Sequence, residues 1–194
     1  MNKFISLLLL VFIYGFATSK VESTTELKDY GPPTVCPEPI KSNKQLILPK
    51  EVESFIDRWS ETAQQEYKKY GVLPSITLAQ GMLESSIGQS KLVRTNNNYF
   101  GIKCFSKTCK KGHCTNASDD HHKDFFKKYE TAWLSFRDHS RFLQRKRYIH
   151  LQKYKCYKKW AEGLQKAKYA TDPLYSKKLI SLIEQYNLNE YDSI

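Results

Sequence analysis

The chain has 194 residues and carries 31 Lys and Arg against 20 Asp and Glu, a formal net charge of +11. That is the usual size of one domain, so a hydrophobic core can form without disulfide support, which excludes a miniprotein held by disulfides alone. The charge points away from cationic partners and toward anionic ones: nucleic acid, a membrane surface or an acidic cell-wall polymer.

The chain opens like an export signal. Asn2 and Lys3 give a short basic start, Phe4 to Phe16 an apolar run, and Ala17-Thr18-Ser19 the small residues of a cleavage site. The apolar run falls short of the roughly 20 residues that span a bilayer, so no stable membrane insertion is expected after cleavage. No cysteine follows it at once to take a lipid. Residues 1–19 are therefore read as a signal peptide, and export argues against nucleic acid as a partner. Residues 20–47, with Gly31-Pro32-Pro33, Pro37 and Pro39, read as a linker. The folded domain is expected over 48–194.

A first helix is predicted from Pro49 to Tyr70, closed by Gly71, with Val52, Phe55, Ile56, Trp59 and Ala63 on one face. A second runs from Pro74 to Ile87, closed by Gly88. Its apolar residues wrap most of the circumference, which marks a central, buried helix. Residues 89–123 lack a helical period and are expected to form loops and a short β-hairpin, with Lys123 to Tyr129 as one strand. Helices follow over 131–147, 157–168 and 173–186, the last started by Asp172 and Pro173. The fold class is α+β, mostly helical, with one small β insertion.

Cys36, Cys104, Cys109, Cys114 and Cys156 allow up to two disulfides and one remaining thiol in an oxidising compartment. Cys104, Cys109, Cys114 and His113 are an alternative zinc set, but their spacing is wider than most structural zinc motifs, and a disulfide-pinned loop is favoured. No metal and no cofactor is expected. The lysines, at 107–111, 123–128 and 153–159 among other places, read as a solvated surface.

One carboxylate stands apart. Glu84 is the only charged residue between Lys69 and Lys91, where a chain that is 26% charged would place about five. Helical geometry sets it on the flank of the arc formed by Ile76, Ala79, Leu83 and Ile87. A carboxyl beside an apolar wall loses hydration, which raises its pKa and suits it to general-acid work. The plain alternative is a Glu that faces solvent or pairs with one of the many basic side chains.

Residues 73–91, LPSITLAQGMLESSIGQSK, resemble the signature of the glucosaminidase family (glycoside hydrolase family 73). Asn98-Tyr99-Phe100-Gly101-Ile102-Lys103, Phe136-Arg137-Asp138-His139-Ser140 and Tyr169-Ala170-Thr171-Asp172-Pro173 resemble its later blocks, in order. The resemblance covers roughly 50–190. It implies a lysozyme-like fold, Glu84 as general acid, and an exported endo-β-N-acetylglucosaminidase of peptidoglycan glycan strands. The rival reading on the same fold is a non-catalytic glycan-binding module. A second carboxylate is expected on the hairpin, at Asp119 or Asp120, unless the substrate's own acetamido group takes that role. The resemblance also places Tyr169 at an active-site aromatic position, with Asn98, Tyr99 and Phe100 as further substrate-binding candidates. Each of the three aromatics has a plain alternative in the core.

Overall fold

Helical stripes that cannot be satisfied alone converge on one central helix. In the computed structural model the described residues are Cys36, 47–104, 112–116 and 125–193. Asp119, Asp120 and Cys109 lie outside them. The helices are α1 (Lys50–Tyr70), α2 (Pro74–Ser85), α3 (Lys91–Asn96), α4 (Ala132–Phe142), α5 (Tyr157–Lys166) and α6 (Tyr175–Gln185). Strands β1 (Cys114–Asn116) and β2 (Phe125–Lys127) form an antiparallel pair with Thr115 opposite Phe126, and 3-10 turns occupy Ile149–Lys153 and Leu188–Asp192. The α+β, mostly helical class is as the sequence predicts.

The first helix starts after Pro49 and stops at Gly71, whose φ of +68° lets its amide reach the Tyr67 carbonyl at 2.7 Å. It buries the five predicted apolar residues and also Glu66, which accepts from Arg137 Nε at 2.7 Å and so ties α1 to α4. Every residue of α2 from Pro74 to Met82 is buried, as its wrapped pattern requires. This helix packs against α1, α5, α6 and the last 3-10 turn. Burying side chains such as Ile76, Leu78 and Met82 stabilises the fold by about 1.5–3 kcal/mol each.

Several boundaries differ from the sequence reading. The second helix ends at Ser85 rather than Ile87, because Ser86, Ile87 and Gly88 all take positive φ. Ser85 Oγ accepts the Gly88 amide at 2.7 Å and holds that reversal. The unpredicted α3 is capped by Ser90, whose Oγ accepts from the Val93 amide at 3.3 Å. The fourth helix stops at Phe142, short of 147, because the next turns bring Gln144 and Gln152 to the Tyr70 carbonyl at 3.0 and 2.6 Å. That carbonyl is an orphan acceptor at the end of α1. The fifth ends at Lys166, and the sixth begins at Tyr175, not Pro173. Asp172 instead closes the preceding turn, accepting the Leu174 amide at 2.8 Å.

Two disulfides join Cys36 to Cys156 and Cys104 to Cys114. The second pins the hairpin to the loop after Asn98, and it occupies two of the sulfurs considered as zinc ligands. The first fastens a residue of the 20–47 stretch to the start of α5. Among the described residues, no helix is long and apolar enough to cross a membrane.

Candidate active site

Glu84 sits in the last turn of α2, one residue before its end, where the helix emerges from the core. Its neighbour Ser85 is fully buried, while Leu83 and Glu84 are partly exposed. Burial raises the Glu84 pKa, and a hydrogen bond from Tyr175 partly opposes that rise. Among the described residues no cation contributes to the shift. The structure thus favours a lone carboxyl against apolar packing over a surface ion pair.

A chain of hydrogen bonds runs back from it. Tyr175 Oη lies 2.9 Å from Glu84 Oε1 and 2.8 Å from Gln80 Nε2, and Gln80 Oε1 lies 3.0 Å from His139 Nε2. The chain has a direction. An amide nitrogen can only donate, so the Tyr175 oxygen accepts from Gln80 and gives its one proton to Glu84 Oε1. An acid proton on Glu84 then belongs on Oε2. Gln80 Oε1 in turn accepts from His139, which carries its hydrogen on Nε2 by this assignment. Burial pushes His139 down to about 3, against a smaller upward push from Asp138, so the imidazole is neutral. It lies flat on Phe100, ring centroids 4.0 Å apart.

Aromatic rings build a wall beside the carboxyl. Tyr169 stacks on Tyr175 at 5.6 Å and meets Tyr148 and Phe142 edge-on at 5.9 and 6.0 Å. Its ring stays partly exposed. Burial, then the Glu84 charge, push its hydroxyl well above the ordinary tyrosine range, so it remains a donor. The base of the hairpin adjoins this wall. Asp138 accepts from Lys127 Nζ and from Tyr129 Oη, both at 2.7 Å. Burial alone would raise Asp138, but these two donors outweigh it and hold the carboxylate ionised. The Tyr129 hydroxyl is pushed up by burial and Asp138, with a smaller push from Tyr169.

Glu84 and Tyr169 are therefore brought together, and Asn98, Tyr99 and Phe100 are not. Asn98 is fully buried and its amide is spent on its own loop and β2: Nδ2 donates to the Ile102 and Lys127 carbonyls, both at 3.0 Å, and Oδ1 accepts from Ile102 N at 3.1 Å. Tyr99 is wedged among Phe55, Trp59 and Phe136 in the core. Phe100 packs on Phe136 and His139. Direct substrate contact by these three is corrected to support of the site from behind. Sequence reasoning gave no role to Tyr175, Gln80 or His139. Gln80 and Glu84, four apart on one helix face, were the available signal.

A partly exposed carboxyl raised by burial in the last turn of a central helix, beside a tyrosine-rich wall and the base of a short hairpin, has the make-up of a glycosidase site on a lysozyme-like fold. Residues 60–188 match the Glucosaminidase family, described as mannosyl-glycoprotein endo-beta-N-acetylglucosaminidase, and the chain belongs to that family. It is 38% identical to the exo-glucosaminidase LytG of Bacillus subtilis over 83% of this chain and 61% of that protein. It is 31% identical to the peptidoglycan hydrolase FlgJ of Escherichia coli K12, over 75% of this chain and 50% of that one. The chain thus spans about half to three fifths of these relatives' length. Among solved structures, the catalytic domain of the Listeria monocytogenes autolysin Auto superposes with a TM-score of 0.62 at 30% identity, covering 79% of this chain and 99% of that one. The glycoside hydrolase domain of Salmonella typhimurium FlgJ gives 0.59 at 30% identity, over 70% and 88%.

Proposed function

We propose that the chain is an exported peptidoglycan hydrolase that cleaves β-1,4 glycosidic bonds at N-acetylglucosamine, with Glu84 as its general acid. The observation that carries this reading is Glu84 itself, a carboxyl raised by burial and, among the described residues, paired with no cation and bonded by Tyr175 on one oxygen. A raised pKa moves a carboxyl toward the protonated state from which it can donate to a departing glycosidic oxygen. The names of the Bacillus and Escherichia relatives support the substrate. Tyr169 offers a partly exposed ring for a sugar face and a hydroxyl for its acetamido group.

The second carboxylate is assigned to Asp119 or Asp120, in the segment between β1 and β2. Asp138 supports that assignment indirectly, because its bonds to Lys127 and Tyr129 fasten the strand at which the segment ends. Residues 1–19 serve as the export signal, so the secreted protein should begin at Lys20.

Digestion of purified peptidoglycan, borohydride reduction and mass spectrometry test the reading. Reduced N-acetylglucosamine at the new ends supports it, and long fragments identify cleavage within the strand. Reduced N-acetylmuramic acid would mean a muramidase. Retention of wall fragments without new ends would mean a glycan-binding module. Glu84→Gln should cost about 10²–10⁴-fold in rate while melting like the native protein; substantial residual cleavage removes Glu84 from the acid role.

A further inference from the structure

The positive charge is concentrated, not scattered. Residues 141–168 hold ten Lys and Arg and a single acid, Glu162, in a chain whose whole excess is eleven. The stretch runs from the end of α4 through the Ile149–Lys153 turn to just past α5.

Several cations are matched: Arg137 with Glu66, Lys127 with Asp138 and Lys178 with Asp172 outside this stretch, and Lys158 with Glu184 within it. Between the Ile149–Lys153 turn and α5, however, a cleft of about 340 Å³ is lined by Arg147, His150, Lys159 and Lys166, with Glu162 as its one acid. Glu162 reaches Lys159 at 3.6 Å, while no carboxylate among the described residues pairs with Arg147, His150 or Lys166. Cations gathered around one concavity repel one another and focus a positive field into it. The concavity is also shaped by packing. Leu151 forms its buried floor, and a Cβ on Gly163 would collide with Leu151, so glycine is what lets α5 close on the turn.

We propose that this cleft binds a phosphodiester-linked polyanion, with Arg147 and Lys166 as the principal contacts. The arginine fork can take two oxygens of one phosphate, and Lys166 supplies a point charge for the next. A concave cleft suits a strand better than a lipid surface, which calls for an apolar stripe beside the charges. Within 141–168, Ile149 is the one large apolar side chain that stands exposed. Tyr148 and Tyr169 meet ring to ring, one following Arg147 in sequence and the other close after Lys166, so the cleft backs onto the wall beside Glu84. A strand held there keeps the acid near an anionic matrix. The proposal does not depend on the reaction at Glu84.

Binding of the purified secreted protein to linear poly(glycerol phosphate) tests it, with charge-matched polyglutamate and phosphatidylglycerol vesicles as further arms. The double variant Arg147→Gln/Lys166→Gln should weaken poly(glycerol phosphate) binding about tenfold and reduce the salt dependence by about 1.4 in log–log slope, some 0.7 for each lost contact on a single strand. Lys68→Gln/Lys177→Gln removes the same charge from exposed sites outside the cleft and should change affinity far less. Unaltered melting of both variants excludes misfolding as the cause. An equal loss in the control variant would overturn the proposal. So would polyglutamate binding of equal strength and equal sensitivity to the cleft variant, or tighter binding to vesicles than to the polymer.

Discussion

Replacing Tyr175 with Phe removes one oxygen from the middle of the relay and isolates what that hydroxyl does for Glu84. In the native protein it donates to Glu84 at 2.9 Å and accepts from Gln80 at 2.8 Å. Without it the buried Gln80 N–H loses its acceptor, a cost of about 1–3 kcal/mol. At ~2–4 °C per kcal/mol for a domain of this size, the melting temperature should fall by about 2–12 °C. The second effect is chemical. The Tyr175 bond favours the ionised carboxylate and lowers the Glu84 pKa against the rise that burial causes. Its loss therefore raises that pKa further. A general acid is lost as pH rises through its pKa, so the alkaline limb of kcat/KM should move to higher pH. The rate at the optimum should drop about tenfold, the equivalent of one hydrogen bond's worth of orientation at roughly 1.4 kcal/mol. The assay is the release of reducing ends from peptidoglycan across the pH range, with Glu84→Gln as the blank. An alkaline limb that stays in place or moves to lower pH would refute the relay.

Three further outcomes are expected. Burial pushes Asp192 up to about 6 despite its bonds from Ser75, so its stabilising share is full below the unfolded value of 3.8 and is lost as pH rises through about 6. In denaturant melts the native protein should therefore fall behind Asp192→Asn by up to about 3 kcal/mol between acid and neutral pH, and a constant difference would refute this. His139 carries the opposite slope: held neutral down to about 3, it costs about 1.4 kcal/mol of stability per unit as pH falls below the ordinary value of 6.5. His139→Gln should remove that slope, and a slope that survives would mean the imidazole is already charged. Gly163→Ala should destabilise by about 1–3 kcal/mol through the clash with Leu151, despite a helix-propensity gain of about 1 kcal/mol. Leu151→Val in the same chain should recover part of the loss, and a stabilised Gly163→Ala would refute the close approach.

Local signals carried the parts of the fold that local physics decides. Pro49, Gly71 and Pro74 bracket α1 and the start of α2 because a fixed φ or a positive φ is a property of one residue. The early end of α4 was not legible, since its cause, the Tyr70 carbonyl, lies more than 70 residues back in the chain. The third helix, six residues long, is too short to show a period. In the site, Glu84 stood out as a charge where none was expected. Tyr175 did not, being one of 13 tyrosines. Tyr99 and Phe100 have the chemistry of a sugar-stacking surface, and only tertiary packing puts them in the core.

The same packing explains how one carboxyl is pushed upward in so basic a protein. At 4 Å a single cation would favour the ionised Glu84 by about 4 kcal/mol at an effective dielectric of 20, a pull directly against the upward push of burial. Among the described residues no Lys or Arg pairs with it, and its bonded partner is a neutral phenol backed by a neutral amide and a neutral imidazole. Each link is polar enough to orient the carboxyl and too weakly charged to ionise it. The absence of other charges along α2 is thus more than a mark of burial. It keeps the excess of positive charge, most of it on 141–168, from opposing the upward push that burial gives Glu84, the proposed general acid.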